Sequence, residues 1–388
     1  MARRRLFLAF VLSLGTAAGA AAQAPAAQPP AATIEQDINQ LSNFDFDARN
    51  VASRRLRRVD AAQAVPALTA AVKNHTDQFV RFRALVLLTG FNDRGTPDLM
   101  RTLVADKSDR IREVAYRWFA AHPEPSLVPT LLERLQTETA EFVRPALVAA
   151  LAAVGSDPQV QRPMIAEAGR GMDFFRIAVI EALGRNHAAY AADAIADAAK
   201  NEGPLQDDAV LALARIGDKR ALAVTPPAGD AGAEVAATLH AANCLLGGDC
   251  AAEAKALVDA AAKGETPQVI QASVTALAAI AAKPDTAATS QLVQIARTGS
   301  TVASDQALVE FSIMAVRDPQ QVLAWLDTVT DPEIHDQVIE LLATGFERLE
   351  EDFAEEQFYG AARAAYWAAP EGSPVRTRMA AIIDALQF

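Results

Sequence analysis

Two cysteines, five histidines and 6% aromatic residues in a chain of 388 leave little material for several classes of protein. Two cysteines cannot staple so long a chain, so a disulfide-dense scaffold is excluded. The histidines, His75, His122, His187, His240 and His335, form no i, i+3 or i, i+4 pair, and HExxH is absent, so no helix offers a metal-binding face. No G-x-S-x-G elbow marks a nucleophile. No segment is apolar for the roughly 20 residues that a transmembrane helix needs. At 51% hydrophobic residues the chain is nevertheless rich enough to bury a core, which excludes a disordered polymer. No cofactor, metal site or catalytic constellation is expected, and the sequence reads as that of a non-enzymatic protein.

Residues 1–22 read as an address. Arg3, Arg4 and Arg5 form a charged start, Leu6 to Leu14 an apolar stretch, and Ala20-Ala21-Ala22 a small-residue cleavage site. Removal near Ala22 and export to the periplasm or medium are expected. Arg4-Arg5-Leu6-Phe7-Leu8 resembles the twin-arginine pattern, though without its flanking Ser/Thr and Lys, so the general secretory route is the first expectation and the twin-arginine route the alternative. No cysteine follows the apolar stretch, which excludes the lipid anchor of a bacterial lipoprotein. Residues 23–32, rich in Ala, Pro and Gln, read as a disordered spacer.

Beyond residue 22 the chain holds 33 basic and 48 acidic residues, a balance of −15. Residues 23–150 carry 16 basic and 15 acidic residues, and residues 151–388 carry 17 and 33. The acidic excess thus lies wholly in the second part and argues against a nucleic-acid partner.

A period decides the fold. Segments of the form apolar-Arg, with a large apolar residue seven positions later, begin at Arg49, Arg81, Arg112, Arg144 and Arg176, spaced by 32, 31, 32 and 32 residues. The later residues are Leu56, Leu88, Phe119, Leu151 and Leu183. Ala, Leu, Arg and Glu dominate each segment, and Gly or Pro marks its ends, which predicts a helix. Helices of the opposite phase are predicted at Ala61 to Lys73, Thr96 to Ala105, Ser126 to Thr137, Asp157 to Ala168 and Ala188 to Ala199. Two helices every 32 residues form a unit that cannot bury its apolar face alone, so neighbours must stack as an α-solenoid.

The stretch Phe175-Arg176-Ile177-Ala178-Val179-Ile180-Glu181-Ala182-Leu183-Gly184 resembles the second helix of a HEAT repeat, as does Val143-Arg144-Pro145-Ala146 through Leu151, and Ala214-Arg215-Ile216-Gly217-Asp218 resembles its closing turn. The chain is therefore similar to the HEAT-repeat family, in the short form shared by the phycobilisome lyase group, from about Asp45 to Asp218. The resemblance implies an all-α solenoid of stacked antiparallel helix pairs, wound as a right-handed superhelix, that binds a protein or peptide on its concave face. The related deoxyhypusine hydroxylases hold iron with His-Glu dipeptides, and no histidine here is followed by glutamate. Regular repeats are expected over 33–221, a loop or kink at 222–232 around Pro226-Pro227, and degenerate repeats continuing the solenoid over 233–388. A second helical domain after the loop is the alternative.

The arginine ladder reads as structural: Asp77, Asp109, Glu141 and Asp173 lie three or four positions before four of its members, and in the family such groups cap helix starts and bridge neighbouring repeats. In such a solenoid the second helices line the inner curve, which makes Arg54, Arg58, Arg83, Arg117 and Arg185 candidate contacts for a protein partner. Phe79, Phe82, Tyr116, Trp118 and Phe119 read as core, with Trp118 as a further candidate contact because Trp and Arg dominate interaction hot spots. Cys244 and Cys250, in an exported chain, are expected to close a Gly-rich turn as a disulfide. Glu347, Glu350, Glu351, Asp352, Glu355 and Glu356 read as a solvated acidic helix face. The expected protein is a monomeric scaffold of the cell envelope, with an accessory subunit of an envelope enzyme, or an enzyme with an unrecognised site, as alternatives.

Overall fold

A computed structural model describes residues 31–229, 232–283, 287–349 and 352–385, without the side chains of 31, 32, 352–355 and 385. The expected leader and almost all of the spacer lie outside these residues. The chain is a succession of helices: α1 (Ala31–Gln40), α2 (Phe46–Arg58), α3 (Ala61–Asn74), α4 (Gln78–Thr89), α5 (Thr96–Leu103), α6 (Asp109–Ala121), α7 (Val128–Thr137), α8 (Arg144–Ala153), α9 (Pro158–Ala168), α10 (Asp173–Arg185), α11 (Ala192–Ala199) and α12 (Gln206–Ile216). It continues with α13 (Ala233–Leu245), α14 (Cys250–Lys263), α15 (Pro267–Ala281), α16 (Ala288–Thr298), α17 (Thr301–Arg317), α18 (Pro319–Leu326), α19 (Pro332–Leu349), α20 (Asp352–Ala368) and α21 (Pro374–Ala385). No strand occurs among the described residues.

Helix starts follow from short acceptors that satisfy the first free N–H groups. Asp45, Asp60, Asp77 and Asp157 accept from the second helical residue of α2, α3, α4 and α9. Gly217, at φ 91°, closes α12 in the left-handed conformation, and the next N–H returns to Leu213 O at 2.9 Å. The helices form two layers. In one, α2, α4, α6, α8, α10, α12, α13, α15 and α17 each pack on the next; in the other, α3, α5, α7, α9, α11, α14, α16 and α18 cover them from outside. This is an α-solenoid of stacked antiparallel pairs, in which the inner helices from α4 to α15 are each wedged between two inner neighbours. The inner helices approach closely where residues are small: a Cβ placed on Gly184 of α10 would lie 2.7 Å from Cα of Ala212 in α12.

Near Pro226-Pro227 the outer layer changes. A single 3-10 turn, Lys219–Ala223, stands where an outer helix is due, and α13 packs directly on α12. Proline has no N–H to give a helix, so this repeat has lost its outer member while the inner stack runs on. The buried side chains on the two sides interleave: Ala242 of α13 belongs with the earlier core, whereas Ala237 and Ala241 belong with the later one.

The stack then closes on itself. Helix α20 packs against α17 and α18 and also against α4, so among the described residues nine helices (α4, α6, α8, α10, α12, α13, α15, α17 and α20) form an unbroken circuit. At the seam Arg57 and Glu356 form an ion pair whose side chains are 6% and 0% exposed. Tyr359 Oη donates to Arg57 O at 3.4 Å and Arg363 Nη2 to Val59 O at 3.3 Å. The Arg363 guanidinium lies 3.9 Å from the centre of the Phe91 ring. A Cβ on Gly360 would sit 3.2 Å from both Cα and O of Gly90, so glycine at this crossing lets two backbones meet. The expected acidic face is thereby corrected at one position: Glu347 is exposed, but Glu356 is a seam residue with no solvent contact. Glu350 and Glu351, and the side chains of Asp352 and Glu355, lie outside the described residues.

Candidate functional site

The ladder arginines occupy one position in each of α2, α4, α6, α8 and α10, and four of them do one or both of two things there. Arg81 Nε donates to Val72 O, Arg144 Nη1 to Leu135 O and Arg176 Nε to Ala168 O, each a carbonyl in the last turn of the preceding outer helix. A cation at that end also meets the negative pole of the helix. The second role is bridging to the next repeat: Arg81 pairs with Asp106 at 2.6 Å, Arg112 with Glu138 at 2.7 Å and Arg144 with Glu167 at 3.4 Å. These partners lie 23 to 26 residues after the arginine and not three or four before it. Asp77 instead caps α4, and only Arg176 pairs backward, with Asp173 at 3.4 Å. Arg49 donates to Asn43 O at 2.9 Å and lies against the rings of Phe46 and Phe79. Burial opposes the charge of Glu138, but the hydrogen bonds from Arg112 and Ala140 and the charges of Arg112 and Arg134 outweigh it and hold the carboxyl below its ordinary value.

The closed circuit leaves an interior, and charge gathers there. Glu181 and Arg185 project from α10, Arg215 from α12 and Arg317 from α17. Arg317 Nη2 reaches Glu181 Oε1 at 2.9 Å, and Arg185 Nε lies 3.9 Å from the same oxygen. Helices α10 and α17 are four packing steps apart, which at about 8–10 Å per step would exceed the combined reach of one arginine and one glutamate if the stack were straight. The pair exists because the stack curls. The side chains of Arg317, Arg185 and Glu181 remain 47%, 39% and 27% exposed, so they are crowded by protein yet wet.

The electrostatics of this cluster are uneven. Crowding opposes the charge of Glu181, and Arg317, Arg185 and Arg215 together override it and hold its carboxyl below the ordinary value. Arg215 is pulled down to about 10, first by burial and then by Arg185 and Arg317, against the attraction of Glu181 and Asp208. Arg185 is lowered as well, by burial and by Arg317 and Arg117, against Glu181. Beside the arginines, Asp208 is pushed up to about 7 by burial and by Asp207, Glu181 and Glu234, with Arg215 opposing. Asp207 and Glu234 are raised too, each chiefly by burial.

Of the contacts expected from sequence, Arg117 and Arg185 belong to this interior. Arg117 pairs with Glu113 of its own helix at 3.0 Å and contributes to the field at Arg185. Arg54 is half-buried on α2. Arg58 is exposed but lies on the seam, 3.2 Å from Asp384 of α21. Two expectations are corrected. Arg83 is 8% exposed and donates toward Ser53 Oγ of the neighbouring inner helix at 3.4 Å, and Trp118 is 3% exposed and stacks on His122 with centroids 3.9 Å apart. Both side chains point between helices, because the apolar face of an inner helix is wide enough to take in its flanking positions. Sequence reasoning missed Glu181, Arg215 and Arg317. The signal for Arg215 was present, since it stands 30 residues after Arg185 at the same closing turn.

Outside the interior, Cys244 and Cys250 form a disulfide between the end of α13 and the start of α14. His240 Nδ1 meets Glu253 at 2.5 Å, and His187 Nδ1 meets Arg215 O at 2.6 Å, the ring N–H donating. Among the described residues no three His, Cys, Asp or Glu side chains gather as a metal site. No described helix is long and apolar enough to cross a membrane. A groove of about 650 Å³ opens where α7 and α9 end, lined by Leu135, Arg144, Arg170, Met172, Phe174 and Phe175. Met172 and Phe174 are 66% and 47% exposed there.

No family model and no curated protein sequence matches this chain. Among solved structures it is similar to an engineered protein of the Northeast Structural Genomics Consortium, at 17% identity over 92% of this chain and 99% of that one, with a TM-score of 0.32. A structure of microtubule polymerases with tumor overexpressed gene domain arrays, described for tubulin recruitment and assembly, is 11% identical over 82% and 92%, with a TM-score of 0.24. One concerning the interaction between cadherin and β-catenin is 14% identical over 91% and 98%, with a TM-score of 0.29. At these scores the likenesses do not bear on what this chain binds.

Proposed function

We propose that this protein is a non-enzymatic scaffold of the cell envelope, built of HEAT-like repeats, that holds an extended segment of a partner protein in its interior. The observation that carries this reading is the set of inner-face arginines, Arg185, Arg215 and Arg317, around a single wet carboxylate, Glu181. Charged side chains on an inner face that retain solvent contact are available to a partner. Because Arg317 reaches across the curl to Glu181, the inner face there favours a loop, a tail or an unfolded segment over a globular surface. The leader-like start of the sequence and the Cys244–Cys250 disulfide support an oxidising, exported location.

The test is affinity capture from the envelope with wild-type protein and with the double variant Arg185→Glu/Arg317→Glu. A partner held in stoichiometric amount by the wild type and lost from the variant, with the circular dichroism spectrum unchanged, is the expected result. Identical captured sets would refute an interior binding surface.

A further inference from the structure

We infer that Arg185, Arg215 and Arg317 are a receptor for a carboxylate on an acidic, extended segment of the partner, and that Glu181 holds the place which that carboxylate takes. This rests on the scaffold reading above and adds the chemistry of what is bound.

Three guanidinium groups from three helices lie in the field of one carboxylate, Glu181. Arg317 has a close ion pair with it, Arg185 has only a 3.9 Å contact, and Arg215 has no ion pair within 4 Å among the described residues. A guanidinium presents several N–H donors in a planar fork that fits a carboxylate edge-on, so a single Glu181 cannot satisfy all three. Asp207, Asp208 and Glu234 lie nearby but make no ion pair with Arg185 or Arg215, so an incoming carboxylate can give these two guanidinium groups the close partner they lack. The proton affinities of Arg185 and Arg215 are depressed first by burial, and the neighbouring arginines add to it.

The choice among anions comes from the neighbours. Asp207 and Asp208 stand at the start of α12 and Glu234 at the start of α13, and Asp208 feels Glu181, Arg215 and Glu234 alike. This acidic flank penalises a doubly charged phosphate more than a singly charged carboxylate. A chain that carries glutamate or aspartate side chains meets this limit, since it brings its charges singly.

Fluorescence anisotropy with a labelled hexaglutamate peptide tests this, with hexaglutamine as control and inorganic phosphate as competitor. Hexaglutamate is expected to bind and hexaglutamine not to. Arg215→Gln should weaken hexaglutamate binding about tenfold or more, as loss of a charge-assisted hydrogen bond implies. Arg215→Lys, which keeps the charge and loses the fork, should fall between. Glu181→Gln removes the competing resident carboxylate and should tighten binding several-fold, a gain that a misfolded variant cannot produce. Equal binding of the two peptides, no response to Arg215→Gln, weaker binding with Glu181→Gln, or displacement by millimolar phosphate would each overturn the inference. Partner capture separates the two readings: a captured partner unaffected by Arg215→Gln leaves the scaffold standing and removes the carboxylate receptor, and hexaglutamate binding with no captured partner does the reverse.

Discussion

Opening the ring at its seam is the most demanding perturbation for this architecture, and the Arg57–Glu356 pair is where to apply it. Both side chains are almost fully desolvated, at 6% and 0% exposure. Glu356→Gln leaves a buried guanidinium without its counter-charge, and breaking a buried pair in this way costs about 3–5 kcal/mol. At about 1.4 kcal/mol per decade, the equilibrium between closed and open seam should shift by about two to four orders of magnitude. The double variant Arg57→Met/Glu356→Met removes both charges at similar volume and should cost far less, because no charge is left stranded. Native-state hydrogen exchange reads the seam directly. Amides of α20 that exchange through seam opening should speed up by that factor in Glu356→Gln and change little in the double variant, while amides of α8 and α10, remote from the seam, stay protected. Gly360→Leu should mimic the single variant by wedging apart the backbones at Gly90. If α20 exchanges at wild-type rates in both Glu356→Gln and Gly360→Leu, the seam does not hold the ring closed.

Four further outcomes are expected. Asp208 has a folded-state value of about 7, above its ordinary 3.8, so the folded protein binds that proton more tightly and this group's contribution to stability falls as pH rises between those values; Asp208→Asn should raise Tm at pH 8 and give no gain at pH 4. Arg112→Gln strands Glu138, whose side chain is 1% exposed, and should destabilise by about 3 kcal/mol in urea melts at pH 7. Because Glu138 is held below its ordinary value of 4.5, that stability is fully present above 4.5 and is lost as pH falls through the depressed folded value, so the two melts should converge in acid. Gly184→Val places side-chain atoms against the Ala212 backbone and should cost about 1–3 kcal/mol by overpacking, visible as a lower Tm. Cys244→Ala/Cys250→Ala frees a short loop in the unfolded chain and should lower stability by about 2 kcal/mol, or less if the local turn persists when unfolded.

How much of the site was legible follows the range of the interactions. Arg117 and Arg185 could be named because the inner face of one helix follows from its own 3.6-residue period. Arg215 repeats the position of Arg185 one unit later, yet its significance depends on Arg317, which lies about a hundred residues on and outside the register. Arg83 and Trp118 were misplaced because a flanking position on an inner helix is exposed or buried according to how closely the next helix packs. The ladder was legible as a ladder, but its acidic partners were sought three or four positions before each arginine, whereas Asp106 and Glu138 follow the next outer helix and Glu167 lies in its last turn.

The sequence by itself determined the 32-residue unit, the two phases of helix, the ladder and the interruption at Pro226-Pro227, since each depends on contacts within a repeat or between adjacent ones; of the expected caps Asp77 alone stands at the N-cap position and accepts from its helix start. Only the tertiary structure decided that the array closes. Closure is the sum of many small rotations between neighbours, and no local pattern records that sum. It turned Glu356 from one carboxylate among several into a buried seam residue, and it brought Arg317 across the curl of the stack to Glu181.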